Sequence, residues 1–407
     1  MERKILHVDV NNAFLSWTAC HMLKNGYPID IREIPAVIGG DEERRAGIVL
    51  AKSTVAKKFG IVTGEPIYFA KKKCPSIEIF PVNFEVFKED SNKLYKLLCE
   101  YTDVIERFSI DECFLDMTNS CNGRKLEDIA YEINHRAEKE LGFTVNVGVS
   151  TNKLLAKMAS DFEKPNKVHT LYEYEIEDKM WPLPVSELFM IGKKTVPKLY
   201  NLGIKTIGDL ANYNTEILVK KFGKFGKTMH EFANGIDYSE VNNKVEDPKS
   251  ISNEVTLPKD VKNIEELNTL LVALAEQVSY RLRKHGLYAS TVAVNLKTSS
   301  FETYSHQAKL PYETSSTKEI IKASKKVLKD MYKGEPIRLI GLRVDKLDNS
   351  DEKQLSFFEE NKVSKKQESI DKVMDSLKQK YGYNKITRAG KLEVENLVKG
   401  KEKKMKE

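Results

Sequence analysis

Three carboxylates stand at the ends of apolar segments early in the chain. Asp9 lies near the end of the segment ILHVDV, and Asp111 and Glu112 divide the largely apolar run VIERFSIDECFLDMT. Taken alone, the two adjacent acids fit a solvated hairpin turn, where Asp is favoured, and Asp9 fits a helix N-cap. An unpaired charge in a buried strand is costly, however, so a shared task for the three side chains is the stronger hypothesis.

Three carboxylates at strand ends suit a hard cation such as Mg²⁺. This ion prefers oxygen ligands and leaves its remaining positions to waters and substrate phosphates. Two such ions can activate a nucleophilic oxygen and stabilise a leaving pyrophosphate. The residues therefore predict metal-assisted transfer chemistry on a phosphate.

Several other classes of protein are disfavoured. The chain has no GxxxxGK phosphate loop, which argues against a P-loop NTPase. Its five cysteines have no CxxC spacing, so neither structural zinc nor a disulfide framework is predicted. No apolar run reaches the roughly 18 residues of a membrane span, and no signal peptide is recognised. We expect a cytoplasmic protein with no membrane partner. The net charge of +6 does not by itself indicate nucleic-acid binding.

The elements around the carboxylates predict a mixed α/β region over residues 1–170. Apolar, β-branched segments at 4–10, 47–51 and 143–150 predict strands, and residues 84–102 and 125–141 have helical spacing. Short helices punctuated by glycine predict an all-α module at 173–238. A polar linker follows, and the order β-α-β-β-α-β then predicts a four-stranded sheet backed by two helices.

Five motifs occur together in one order along the chain. They are VDVNNAF at 8–14, AKSTVAKKFGI at 51–61, FSIDECFLDM at 108–117, VNVGVSTNKLLAKMASDFEKPN at 145–166 and the Gly turn after Phe189. Together they closely resemble the Y-family, or translesion, DNA polymerases of the DinB/UmuC group, over roughly residues 1–345. The resemblance implies error-prone, template-directed synthesis past damaged DNA, by two-metal nucleotidyl transfer from dNTPs to a primer 3′-hydroxyl.

The resemblance also implies the fold, an α/β multidomain right-hand polymerase. The mixed α/β palm would be residues 1–12 and 82–172, and the small fingers 13–81. The all-α thumb, with a helix-hairpin-helix turn, would be 173–238. A linker at 239–252 would lead to a β-α-β-β-α-β little finger at 253–348 and a tail at 349–407.

By position, Asp9 and Asp111 resemble the family's Mg²⁺ ligands, and the carbonyl of Val10 would complete the shell of one ion. Glu112 resembles the third acid, which helps to bind the metal near the primer 3′-hydroxyl. Two Mg²⁺ ions are implied, with Mn²⁺ as a substitute. Phe14 aligns with the steric gate, a flat ring under the sugar that excludes a 2′-hydroxyl. The alternative for Phe14 is plain core packing.

Three further residues are implied in nucleotide binding. Lys164 resembles the lysine that reaches the incoming triphosphate, against the alternative of a solvated loop lysine. Thr54 and Lys57 stand where the family often has Tyr and Arg. Thr keeps a hydroxyl but loses the ring, and Lys keeps the charge but loses the bidentate fork. A weaker or redistributed grip on the triphosphate is therefore expected.

Primer–template DNA is the implied partner of two other regions. FMIGKKT resembles a helix-hairpin-helix turn, which exposes backbone N–H groups to a DNA phosphate. Met190 stands in place of the usual first Gly, so the candidate contacts there are Gly192, Lys193 and Lys194. In the little finger the candidate phosphate contacts are Arg338 and Arg343.

The tail carries QLSFF at 354–358, which resembles the bacterial sliding-clamp-binding pentapeptide. A short apolar peptide of this kind docks into a preformed groove, here on the clamp that is the β subunit of DNA polymerase III. The implied contacts are Gln354, Leu355, Ser356, Phe357 and Phe358. An apolar stripe beyond it either packs on the body or binds another protein; its members are Ile370, Val373, Met374, Leu377 and Tyr381.

Two alternatives stay open on the sequence alone. A non-catalytic module of the same fold would bind DNA or the clamp, although it would not need intact Asp9, Asp111 and Glu112. A palm-type nucleotidyl cyclase would not need the DNA-holding modules or the clamp peptide. The sequence does not separate the polymerase IV and polymerase V subgroups, and a monomer is expected.

Overall fold

The computed structural model describes residues 2–40, 47–244, 247–349 and 361–382, of which 361–368 are described as backbone only. These residues divide into two compact units, one within 2–40 and 48–244 and the other mainly within 247–382. The division falls inside the predicted linker at 239–252. The other domain boundaries stay predictions. Within the described ranges, no helix combines the length and apolar character that a membrane crossing requires.

The first unit contains two sheets. Its strands are β1 (Ile5–Val10), β2 (Ala36–Gly39), β3 (Val49–Lys52), β4 (Glu78–Pro81), β5 (Ile105–Arg107), β6 (Glu112–Asp116), β7 (Val145–Ser150) and β8 (Val168–Thr170). The larger sheet has the order β5-β6-β1-β7-β8 and the smaller one β3-β2-β4. In that order β1 is the third of five strands, so Asp9 lies on the central strand of the larger sheet. Every residue of β1 and β7 is buried.

The helices of this unit include the two predicted within residues 84–102 and 125–141. They are α1 (Ala13–Lys24), α2 (Thr54–Lys58), α3 (Ile67–Lys73), α4 (Phe84–Leu98), α5 (Leu126–Arg136), α6 (Lys153–Asp161), α7 (Val196–Tyr200), α8 (Ile207–Ala211), α9 (Thr215–Phe222) and α10 (Lys224–Ala233). Residues 173–238, all described, contain helices and turns and no strand. The all-α character predicted for this segment is confirmed.

Helix α6 lies unusually close to the larger sheet. Asn152 caps its N-terminus, accepting a hydrogen bond from the Leu155 N–H at 2.8 Å. A Cβ built on Gly148 of β7 would lie 1.9 Å from the Ala156 carbonyl oxygen and 2.6 Å from the Ser160 nitrogen. The two backbones therefore meet where glycine leaves room, and this approach brings Lys157 of α6 against the sheet.

The second unit confirms the β-α-β-β-α-β prediction. Its elements are β9 (Ser250–Val261), α11 (Ile264–Lys284), β10 (Tyr288–Thr298), β11 (Thr303–Thr314), α12 (Thr317–Met331), β12 (Ile337–Asp348) and α13 (Asn361–Tyr381). The strands form an antiparallel sheet of order β11-β10-β12-β9. Leu270, Leu274, Ile320 and Leu328 of the two helices share a buried core with strand residues such as Val292.

Helix α13 packs with its polar face inward. Asp371 is only 1% exposed and accepts a hydrogen bond from the Thr317 N–H at 2.9 Å. Arg283 donates to Asp375 at 2.6 Å, and Lys378 pairs with Glu276 at 3.2 Å. In contrast, the stripe members Ile370, Val373 and Tyr381 are exposed. The other two stripe members, Met374 and Leu377, are partly buried, so the stripe as a whole does not pack on the body.

Candidate active site

The structure brings the three predicted carboxylates together. Asp9 and Glu112 are directly paired across β1 and β6, so their side chains lie on the same face of the sheet. Asp111 immediately precedes β6, and its carbonyl accepts the Val10 N–H at 3.0 Å. Because β1 and β6 are neighbours, segments more than one hundred residues apart in sequence supply a single acidic cluster, Asp9, Asp111 and Glu112.

The pKa of Asp111 is raised by its position in this cluster. Burial raises the pKa of Asp111, and the nearby charges of Asp9 and Glu112 raise it further. A hydrogen bond that the Ser109 hydroxyl donates to Asp111 at 2.5 Å opposes the shift. A carboxylate held among like charges in this way is stabilised in its ionised form by any cation that enters the cluster.

Glu112 is held ionised by its neighbours. Burial alone would raise the pKa of Glu112, but His7 and Lys157 outweigh burial and lower it to about 2. His7 lies fully buried below the carboxylate, with Nε2 3.4 Å from Glu112 Oε2 and Nδ1 2.7 Å from Ser160 Oγ. Burial lowers the pKa of His7, which favours the neutral imidazole over the charged form.

Two lysines, Lys157 and Lys164, form ion pairs with these carboxylates. Lys164 Nζ is 2.6 Å from Asp9 Oδ2 and 2.8 Å from Asp161 Oδ1. Lys157 Nζ is 3.2 Å from Glu112 and 3.6 Å from Asp9. Burial alone would lower the pKa of both ammonium groups, but the carboxylates, Asp9 foremost, raise it instead.

Lys157 and His7 are the site residues that the sequence analysis missed. The available signal was position: His7 is a polar residue within ILHVDV, a run predicted to form a strand, and Lys157 stands among the apolar residues of LLAKMAS. A lysine in such a run is buried only when it is paired. The carboxylates that pair with Lys157 are Asp9, Glu112 and Asp161, and they meet it only once β1, β6 and α6 are assembled.

The cluster has the chemistry that a divalent cation requires. Its donors are carboxylate oxygens, partly or wholly buried, and burial together with their mutual repulsion raises the pKa of Asp111. Within the described ranges, however, no three His, Cys, Asp or Glu side chains are already grouped as metal ligands. At Asp9 and Glu112, lysine ammonium groups form ion pairs with the carboxylates instead. The carboxylate oxygens therefore suit Mg²⁺ once the lysine ammonium groups have moved away from them.

Phe14 lies on the first turn of α1, four residues after the end of β1. Asn12, which precedes the helix, has φ 51°, so the chain turns sharply between β1 and α1, and Phe14 packs against the core that contains Val8 of β1. The ring is half-buried, with its centroid 4.7 Å from that of Phe87 and 6.0 Å from that of Trp17. Packing fixes the ring while part of it stays accessible, so core packing and a gate role are compatible here.

The predicted nucleotide-binding residues Thr54 and Lys57 are exposed on α2. In the described part of the chain, neither side chain is hydrogen-bonded to the carboxylate cluster. Lys52, on the adjoining strand β3, is close enough to Lys57 that burial and the Lys57 charge together lower its pKa. These residues form a basic surface on the smaller sheet.

The candidate DNA contacts are also at the surface. Gly192, Lys193 and Lys194 are exposed in the turn before α7, where Met190 adopts φ 72°. Met190 thus takes the left-handed conformation at the position of the missing glycine. In the second unit, Arg338 lies 4.8 Å from the Phe301 ring. The Arg343 Nε donates to Asp345 at 2.8 Å. The clamp-peptide residues 354–358 lie outside the described residues.

Comparison with known proteins identifies the family. The sequence matches the impB/mucB/samB family over residues 8–161 and its C-terminal domain over 248–357. Residues 187–237 match a family described as DNA polymerase-iota, thumb domain.

A relative from Clostridium acetobutylicum named DNA polymerase IV is 51% identical over 395 residues, 97% of this chain and 100% of the relative. A second protein of that name, from Acetivibrio thermocellus, is 40% identical over 95% of this chain and 97% of its own length. A solved structure of a Y-family DNA polymerase chimera has a TM-score of 0.75 and 25% identity, and covers 85% of this chain and 100% of that chain.

The fold, the acidic cluster and these matches define a nucleotidyl-transferring polymerase. The chain belongs to the Y family of DNA polymerases. It is a DNA-directed DNA polymerase of the translesion type, with primed DNA and dNTPs as substrates and a divalent metal as the cofactor general to its family. A non-catalytic module is not favoured, and the matched thumb and C-terminal domains argue against a nucleotidyl cyclase.

Proposed function

We propose that Asp9, Asp111 and Glu112 form the centre where this polymerase joins a nucleotide to the primer. In that reaction the primer 3′ oxygen bonds to the α-phosphorus of the dNTP. The bond from that phosphorus to the leaving pyrophosphate breaks, and the hydroxyl proton is lost. The observation that carries the proposal is the meeting of the three carboxylates at β1 and β6 under two lysines.

Asp9, Asp111 and the Val10 carbonyl would hold two Mg²⁺ ions, for which Mn²⁺ substitutes, and Glu112 would hold the ion beside the primer hydroxyl. When bound, the ions would activate the hydroxyl and neutralise charge on the pyrophosphate. Glu112 suits its position because its pKa of about 2 keeps it ionised throughout the neutral range. His7 beneath it would help to orient that carboxylate.

The two lysines would divide their roles according to exposure. The Lys164 side chain is 36% exposed, whereas that of Lys157 is 9% exposed. Lys164 can therefore leave Asp9 for the triphosphate of an incoming dNTP. Lys157, held between Glu112, Asp9 and Asp161, would stay and offset the negative charge of the carboxylates. Thr54 and Lys57 on α2 would add a weaker contact to the same triphosphate.

Metal binding tests the ligand assignment directly. Mn²⁺ titration of the complex with primed DNA and dNTP, followed by electron paramagnetic resonance, would compare the parent with Asp9→Asn and Asp111→Asn. Loss of a group that merely supports a ligand costs about 10–100-fold in metal affinity, so loss of a ligand should cost at least that. Glu163→Gln, at a carboxylate 71% exposed, is the matched control. Unchanged Mn²⁺ affinity in both variants would contradict the assignment.

Phe14 would act as the steric gate against ribonucleotides. Its ring is fixed by Phe87 and Trp17, so a 2′-hydroxyl above it would find no space. Phe14→Ala should raise rNTP incorporation relative to dNTP incorporation. Phe84→Ala, which removes another ring from the same aromatic group, should not. Unchanged sugar selection in Phe14→Ala would remove this role.

DNA would be held by the exposed turn Gly192–Lys194 and by Arg338 and Arg343 of β12. Binding through lysine and arginine should weaken as salt rises, because neutralised phosphates release counterions.

We also propose that residues 354–358 bind the sliding clamp, with Phe357 and Phe358 as the apolar anchors. Phe357→Ala with Phe358→Ala should abolish clamp-stimulated synthesis while clamp-independent extension persists. The enzyme would act as a monomer in the cytoplasm.

A further inference from the structure

The smaller sheet's helices carry apolar side chains that its core does not use. Phe59, Val62, Tyr68 and Phe69 are 47–56% exposed. Ile61, Ile67 and Ala70, from the same segments, fill a small core beneath them. We call Tyr68, Phe69 and Lys72 of α3, with the adjoining loop residues Phe59 and Val62, the finger surface.

Hydrogen bonds and a ring contact join the parts of the finger surface. Lys73 Nζ donates to the Gly60 carbonyl at 2.8 Å and to Glu65 Oε2 at 2.5 Å. These bonds tie α3 to the loop that carries Phe59 and Val62. The Tyr68 and Phe69 rings are edge to face, with centroids 5.5 Å apart. Both rings are therefore presented in fixed positions to the solvent.

The charge around these rings is strongly positive. Between Thr54 and Cys74 the sequence has five lysines and one acidic residue, Glu65. Glu65 is already paired with Lys73. Lys72 Nζ lies 4.6 Å from the centroid of the Tyr68 ring, which presents an ammonium group and an aromatic face together. This combination complements a polyanion that also carries flat, unpaired rings.

We propose that the finger surface binds single-stranded DNA, namely unpaired template. Successive bases stack on aromatic side chains while lysines follow the phosphates, a mode that tolerates any sequence. In duplex DNA the base faces are already stacked, so Tyr68 and Phe69 would gain little from it. An acidic protein could use the lysines, but it does not explain two exposed rings beside them. The proposal needs only that the chain is a DNA polymerase, not the assignments at the carboxylate cluster.

Fluorescence anisotropy with two primed templates tests the proposal. Both templates share one duplex, and their unpaired 5′ template strands are about 2 and about 12 nucleotides long, since single-strand sites span about 4–16 nucleotides. The parent should bind the long overhang at least about five-fold more tightly, the gain expected from one stacked base. Tyr68→Ala with Phe69→Ala should lose this gain and keep the short-overhang affinity. Lys72→Ala should lower the salt dependence of the long-overhang complex by about 0.7 in log–log slope.

Two controls make the result decisive. Tyr131→Ala removes an aromatic side chain that is 59% exposed on α5 and should leave the overhang gain intact. Primer extension by the double variant on the short-overhang template should match the parent, which shows that the catalytic centre is intact. A double variant that keeps the overhang gain would overturn the proposal and leave the surface to a protein partner. Equal weakening on both templates would also overturn it.

Discussion

Replacing Gly148 with alanine tests how closely α6 must approach β7. The new Cβ would lie 1.9 Å from the Ala156 carbonyl oxygen, whereas ordinary contact begins at 3.4 Å. To relieve the clash, α6 must withdraw from the sheet by about 1.5 Å. All three obstructing atoms, two of Ala156 and one of Ser160, belong to the backbone, so no side chain can rotate away.

The expected cost is large in both stability and activity. Extra atoms in a packed core typically cost about 1–3 kcal/mol. A backbone clash places Gly148→Ala at the upper end, about 3 kcal/mol of unfolding free energy. The shift would also displace Lys157, which α6 holds at 3.2 Å from Glu112. A misplacement of about 1 Å can cost about 10²-fold in rate, so the folded fraction should be slow as well.

Urea unfolding followed by tryptophan fluorescence measures the stability change. Both tryptophans of the chain, Trp17 and Trp181, lie in the first unit. Gly192→Ala is the matched control, because a Cβ there meets no heavy atom within 4 Å; its stability should equal or slightly exceed that of the parent. A Gly148→Ala protein within about 0.5 kcal/mol of the parent would refute the packing argument.

Three other predictions concern separate parts of the molecule. Lys164→Ala should raise the KM for dNTP about ten-fold, the loss of one charged hydrogen bond of roughly 1.5 kcal/mol, in steady-state extension; an unchanged KM would contradict its triphosphate role. A maleimide applied to the native protein near pH 8 should modify Cys99 alone, because Cys99 is exposed and the other four cysteines are buried. Burial also raises the pKa of Cys113 to about 12. Mass spectrometry that finds Cys113 modified as fast as Cys99 would contradict this prediction. Arg283→Met should destabilise the packing of α13 by about 3 kcal/mol, as expected for breaking a buried ion pair. Limited proteolysis should then cut within α13. A variant at an exposed residue, Lys372→Met, should resist proteolysis as well as the parent does.

The sequence predicted the elements well where burial and periodicity agree. The runs that became β1 and β7 are rich in apolar, β-branched residues, and every residue in them is buried. The β-α-β-β-α-β order was confirmed because each strand and helix of that unit has its own period. The carboxylates could be found because burying an unpaired charge at the end of an apolar strand costs free energy, which indicates a functional role.

Other features could not be read from one sequence. The partners of Glu112, His7 and Lys157, come from different elements and meet only when β1, β6 and α6 assemble. The face of α13 is a second example. Periodicity locates its apolar stripe but does not say which face is buried, and here the ion pairs of Asp371 and Asp375 with Arg283 outweigh the stripe.

The central claim is that the acidic cluster performs nucleotidyl transfer. Single-turnover incorporation of one dNTP into primed DNA with Mg²⁺, comparing Asp111→Asn with Glu163→Gln, tests it most directly. The substitution at Asp111 keeps the shape of the side chain and removes its charge. We predict a loss of at least about 10³-fold, since several kcal/mol of charge stabilisation disappear, while Glu163→Gln extends primers at the parental rate. Parental incorporation by a folded Asp111→Asn protein would contradict the claim.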